Sequence, residues 1–181
     1  DAATRANLEL TRTLGGDRQG SLLATIDRTV TPGGARLLAE RLAGPLTDPA
    51  AIAARHDAVE LLVTDAGLRE DLRSALEKVP DVARALARLS LDRGGPRDLA
   101  ALRDGLAVAR AIGGELAAHA DMPDEIAALV PRLGAVDELL LSELASALAE
   151  NLPLDRRDGG FITDGFDSSL DEARALRDES R

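Results

Sequence analysis

Residues 20–65, GSLLATIDRTVTPGGARLLAERLAGPLTDPAAIAARHDAVELLVTD, decide how this chain folds. Two prolines divide the stretch into three helical segments. Thr31 is suited to cap a helix whose first residue is Pro32, and Asp48 one that begins at Pro49. Proline is at home at a helix's first position, because its missing N–H would have no intrahelical partner there. Leu38 and Leu42 share one helical face, and Ile52, Val59 and Val63 share another. Leu22, Leu23 and Ile26 make a third, shorter apolar stripe. The pattern predicts three amphipathic helices folded back on one another.

Composition agrees with a helical chain. The 181 residues are 45% hydrophobic and 30% charged, but only 1% aromatic. A chain of this length can bury a core of its own, and an Ala- and Leu-rich composition favours helix over sheet. With no cysteine, disulfides and thiolate metal sites are excluded. No apolar run approaches the roughly 20 residues of a membrane span. The chain begins at Asp1, has its one methionine at Met122 and stops inside a helical pattern, so it is expected to be a piece of a larger protein. Lysine plus arginine number 22 against 32 acids, a net charge of −10, and the arginines are scattered among acids. A face that binds duplex phosphates needs a local cation excess, so no nucleic-acid face is expected.

Outward from the central stretch, residues 67–79 are predicted to form a helix with Leu68, Leu72 and Leu76 on one side, ended by Pro80. Asp81 is placed to cap the next, with Val82, Leu86 and Leu89 as its stripe. Pro96 starts a longer helix whose seam runs Leu99, Leu102, Leu106, Ala109, Gly113 and Leu116. Gly113 and Gly114 predict a kink or an end, at about 1 kcal/mol per glycine relative to alanine. Two further helices are expected over 124–130, stopped by Pro131, and over 134–151, with Val136, Leu140, Leu144 and Leu148 aligned. Residues 152–163 read as a small β-hairpin turning at Asp158 and Gly159, with Gly160 beside them. Asp167 is placed to cap a last helix. The fold class predicted is therefore all-α, mainly helical, with one small hairpin near the C-terminal end.

The order of residues carries a resemblance. SLLATIDRTVTPGGARLLAERLAGPLTD followed by IAARHDAVELL resembles the opening of the core, or lever, domain of the MutS family of DNA mismatch repair proteins. The matching positions are Leu22, Leu23, Asp27, Thr29, Thr31, Gly34, Arg36, Leu37, Leu38, Leu42, Pro45, Leu46, Asp48, Ile52, Arg55, Asp57, Val59 and Leu62. DAATRANLEL is similar to the segment before it, through Thr4, Arg5, Asn7, Leu8 and Glu9. DGGFITDGFDSSLDEARAL resembles the segment leading into the family's clamp, through Gly159, Gly160, Ile162, Gly165, Asp167, Leu170 and Asp171. The resemblance implies a core/lever domain over residues 1–164 and the start of a clamp-domain helix over 165–181. It implies a bacterial, cytoplasmic parent that binds mismatched duplex DNA, dimerises, and hydrolyses ATP with Mg in a domain outside this chain. The lever would link that ATPase to clamp arms that close around DNA.

For this chain alone, no catalytic, cofactor-binding or metal residues are expected. Residues 15–20, GGDRQG, lack the GK[ST] ending of a phosphate loop, and Lys78 is the only lysine. His56 and Glu60 are four apart on a helix but too few to hold a metal. His56 is expected to be a partly buried packing residue on the Ile52–Val59–Val63 face. The aspartates at 155, 158, 164 and 167 do not follow the EF-hand order. Neither phenylalanine, Phe161 or Phe166, sits in the Phe-x-Glu pattern with which the MutS family reads a mismatch. The residues singled out are structural: Thr31, Pro32, Asp48, Pro49, Gly159, Gly160 and Asp167. Two other readings are a free-standing acidic helical scaffold for a partner protein and a metal-dependent hydrolase using His56 and Glu60.

Overall fold

A computed structural model describes residues 2–179. The chain forms α1 (Ala2–Asn7), α2 (Leu22–Ile26), α3 (Pro32–Ala43), α4 (Pro49–Thr64), α5 (Ala66–Leu76) and α6 (Val82–Ser90). These are followed by α7 (Pro96–Ala117), α8 (Asp124–Ala127), α9 (Val130–Gly134), α10 (Glu138–Ala147) and α11 (Ser168–Glu179). They divide into two compact units, Asp1–Asp81 with Val108–Ala135, and Val82–Ala107 with Val136–Arg181. Helix α7 contributes residues to both.

The first unit is built on α4. Asp48 accepts from the Ala51 N–H at 3.1 Å, and Pro49 opens the helix. At its other end Asp65 serves two helices. Its own N–H donates to the Leu61 carbonyl at 2.8 Å, while its Oδ1 accepts from the Leu68 N–H at 2.9 Å and starts α5. With no loop between them, α4 and α5 lie against each other and bury Ala58 and Leu68 in a core with Ile112 and Leu116 of α7 and Ile126 of α8. Leu61, Leu62, Leu72 and Leu133 pack around that core. Burying one leucine contributes about 1.5–3 kcal/mol.

The buried face of α4 differs from the stripe read in the sequence. Ala58, Leu61 and Leu62 face inward, whereas Val59 is 58% and Val63 67% exposed, and His56 is exposed with them. Both faces carry apolar residues, and periodicity cannot choose between them; the approach of α5 and α8 does. His56 is therefore a surface residue, not a packing one. Helix α5 likewise buries Leu68 and half-buries Leu72 but leaves Leu76 exposed.

Nor does α7 end at Gly113; it runs on to Ala117. A Cβ at Gly113 would stand 2.8 Å from Cβ of Leu133, so glycine here lets the chain at α9 come close. Pro131 lies in the first turn of α9 rather than stopping a helix, and the helix expected over 134–151 is shortened to Glu138–Ala147, started by Asp137. The opening segment is tied down through the carbonyls of Glu9 and Leu10, which accept from Leu22 and Leu23 at 3.0 and 2.9 Å. Arg36 grips Asp81 with two bonds of 2.9 and 2.8 Å.

In the second unit, the start of α7 depends on Asp98. Its Oδ2 accepts from the Gly95 N–H at 3.0 Å, the backward reach of a capping box, and its Oδ1 accepts from Arg88 Nε at 2.9 Å. The Arg88 hydrogen bonds hold the Asp98 carboxyl below its ordinary pKa, against the opposing effect of burial. Ala85, Pro96 and Ala100 are buried nearby in the chain. In α6 the inward residue is Ala85, while Leu86, read as part of the stripe, is exposed.

The hairpin expected over 152–163 does not form. Residues Arg156–Asp158 make a 3-10 turn, and the described residues contain one isolated antiparallel bridge, Leu148 with Ile162. Asp155 explains the difference: its carboxylate accepts from the Arg157 N–H at 2.9 Å and turns the backbone where a strand would run. The fold is mainly helical without the hairpin.

Two outcomes test these assignments. Leu68→Ala is expected to cost about 2–5 kcal/mol in denaturant unfolding, and Val63→Ala less than about 0.5 kcal/mol. Asp98→Asn is expected to destabilise at neutral pH, by about 1.5–3 kcal/mol for hydrogen bonds to a charge. Because the folded pKa lies below the unfolded one, this contribution is full above about pH 4 and fades as pH falls through the folded value. Unfolding curves of both proteins from pH 7 downward should converge in acid.

Candidate functional site at the exit segment

The residues singled out in the sequence fall into two groups. Thr31 accepts from the Gly34 N–H at 2.9 Å with Pro32 opening α3, and Asp48 with Pro49 starts α4; both pairs lie in the first unit. Gly159, Gly160 and Asp167 lie in the second, along the segment that leads into α11.

That segment is built from Leu148 onward. The backbone is pinned at the bridge, where Ala149 N–H donates to Phe161 at 2.9 Å and Thr163 N–H to Ala147 at 2.8 Å. Between these anchors the chain reverses through the 3-10 turn and then through Gly159 and Gly160, at φ +67° and +71°. Two successive residues in the left-handed region require glycine or strain. Beyond the bridge, Gly165 again takes a positive φ, and Asp167 accepts from the Leu170 N–H at 2.9 Å to satisfy the first turn of α11.

One side chain locks this arrangement, and nothing in the sequence singles it out. Arg174, on the second turn of α11, reaches back along the helix. Its Nη1 donates to Asp164 at 2.7 Å and to Asp171 at 3.1 Å, and its Nη2 donates to the Ile162 carbonyl at 2.8 Å. Asp171 also accepts from the Gly165 N–H at 2.7 Å. The Arg174 side chain, 22% exposed, thus joins the helix to the bridge residue Ile162 and to the turn between them. The available signal is the Asp171–Arg174 spacing, which on any helix surface is commonplace.

The chemistry of this site is mechanical: it fixes the direction in which α11 leaves. Among the described residues no group of three His, Asp or Glu side chains could hold a metal ion. His56 and Glu60 both lie exposed on α4. Residues 15–20 do not fit a nucleotide's phosphates: they carry Asp17 and no lysine, and the helix after them, α2, is five residues long. No helix in the described residues is long and apolar enough to cross a membrane.

Comparison with known families meets this geometry at full length. The MutS domain III family matches residues 3–180, α11 included. The chain belongs to that family. It is 61% identical over all 181 residues to the DNA mismatch repair protein MutS of Rhodopseudomonas palustris (strain BisB5). It is 59% identical to the protein of that name from Nitrobacter winogradskyi, over all of the chain, and 59% identical to the one from Azorhizobium caulinodans. The chain spans 20%, 20% and 19% of these relatives. For a MutS domain III, the exit segment is thus a matched part of the domain.

Loss of the lock should loosen this end alone. Arg174→Ala is expected to cost about 1–3 kcal/mol and Asp167→Ala about 1 kcal/mol. Amide exchange should rise in 161–170 in both, and Gly159→Val should do the same through strain at the turn. Unchanged exchange in all three would show that the segment is held by other contacts.

Proposed function

We propose that this chain is the lever, or core, domain of a bacterial MutS protein over residues 1–164, with residues 165–181 beginning the clamp-domain helix. In this reading it couples an ATPase domain, elsewhere in the protein, to the clamp during ATP-dependent binding of mismatched duplex DNA. ATP and Mg belong to that distant domain, and the chain itself carries out no reaction. The whole protein dimerises and works in the cytoplasm.

The observation that carries the reading is the locked exit, in a chain matched from residue 3 to residue 180 by MutS domain III. Coupling between distant sites needs an element whose arrangement both sites can bias. Arg174, bonded at once to Asp171 of α11 and to the segment before it, supports the reading of this joint as that element. A swing of the helix would break the bonds to Asp164 and to the Ile162 carbonyl together, while the bond to Asp171, within α11, would move with the helix.

The test uses the full-length protein. Arg174→Ala and Gly159→Val are expected to reduce the ATP-induced acceleration of DNA release from a mismatched duplex more than they weaken nucleotide binding. The measurement is DNA dissociation with and without ATP in each variant. A wild-type ATP response in both, with exchange confirming local loosening, would reduce the segment to a connector.

A further inference from the structure

Asp104, Asp158 and Asp164 are each followed by glycine. In such a pair the glycine amide nitrogen can reach the carboxyl carbon of the aspartate side chain, and glycine has no side chain to obstruct the approach. Reaction needs a carboxyl free to swing round, a weakly held N–H and space for a ring. Asp104 fails on the first two counts. Its carboxylate accepts from Arg103 Nε at 2.8 Å, and Gly105 is buried within α7, its N–H part of the helical ladder. Asp164 is exposed, yet both reacting groups are held. Arg174 donates to its Oδ1 at 2.7 Å, and the Gly165 N–H donates to Asp171 at 2.7 Å, a short bond to a charged acceptor. Asp158 differs from both. It is exposed, and its carboxylate has no hydrogen-bond partner among the described residues. The Gly159 N–H reaches the Arg156 carbonyl only at 3.4 Å, longer than an ordinary hydrogen bond. A Cβ on Gly159 or Gly160 would meet nothing within 4 Å, so a ring has space.

We propose that Asp158 is a site of spontaneous backbone isomerisation, whose only reactants are the chain itself and water. The Gly159 nitrogen attacks Cγ of the Asp158 carboxylic acid. The new N–C bond forms as the C–O bond breaks, and the hydroxyl leaves with the amide proton as water. Water then adds to the resulting succinimide at either carbonyl. Opening at one restores aspartate; opening at the other gives isoaspartate, whose main chain runs through Cβ and Cγ. The isoaspartyl form puts an extra carbon in the backbone directly before Gly159, whose φ is +67°. It therefore lengthens the reversal that leads to the bridge residue Ile162. This modification goes beyond the lever reading and does not rest on it.

The test ages the folded chain at neutral pH and physiological temperature in heavy-oxygen water, beside a sample held in denaturant. Tryptic peptides are then read by electron-transfer fragmentation. Cleavage after Arg157 and Arg174 leaves Asp158 and Asp164 in one peptide, DGGFITDGFDSSLDEAR, whose backbone fragments tell the two apart. In the folded chain, isoaspartate carrying heavy oxygen is expected to accumulate at Asp158 several-fold faster than at Asp164 or Asp104. In denaturant the three rates should converge, because the dipeptide is the same. Asp171→Ala, which frees the Gly165 N–H, should raise conversion at Asp164, with a thermal melt to check that the variant folds. The proposal is overturned by the absence of isoaspartate at Asp158 in the folded chain, or by equal conversion there at Asp164 or Asp104. A preference that persists unchanged in denaturant, a product without heavy oxygen, or an Asp164 indifferent to Asp171→Ala would overturn it too.

Discussion

Four of the ten buried apolar residues among those described are alanines, Ala58, Ala85, Ala100 and Ala147. Side chains this short fill space only if the helices that carry them come close. Close approach in turn leaves little tolerance at the contact, as at Gly113, where a single methyl would collide with Leu133. A core built on aromatics could accommodate a loose fit by turning a ring; this one has two phenylalanines in the whole chain. Its order therefore depends on where each helix begins and ends, and the polar groups at helix ends set those limits. Ser21, Thr31, Asp48, Asp65, Asp137 and Asp155 each bond a backbone N–H at the start of a helical segment.

That division explains which features are legible in the sequence. Helix starts are local: a Thr or Asp followed by proline states its own geometry, so the first residues of α3 and α4 can be read to the residue. Helix faces are not local. Helix α4 carries apolar residues on two sides, and which side is buried depends on α5 and α8, whose approach no periodicity records. Val59 reads as core because it is apolar, and lies open because nothing among the described residues covers it. The hairpin fails for a local reason of the opposite kind, since the Asp155 side chain outcompetes a ladder that the Asp158-Gly159 turn alone suggests.

At the exit, the glycines are legible and the arginine is not. Gly159 and Gly160 announce a reversal because few other residues tolerate it. Arg174 is one of many arginines near acids, and only folding shows that its partners include a backbone carbonyl twelve residues earlier. Family resemblance locates the segment, and the geometry supplies what resemblance does not: the bonds that hold its angle.

The shared cap at Asp65 has a further consequence, for chain length. Because one residue ends α4 and begins α5, the junction holds no spare backbone. Each residue added to a helix turns the chain beyond it by about 100°. An insertion of one residue there would rotate α5 about its axis, carry Leu68 and Leu72 away from Ile112 and Leu116, and put Gly67 and charged Asp71 in their places. The stretch around residues 15–20, with glycines at positive φ and no buried side chain between them, has room to absorb the same insertion. Variation in length should therefore be confined to one of these joints and barred from the other.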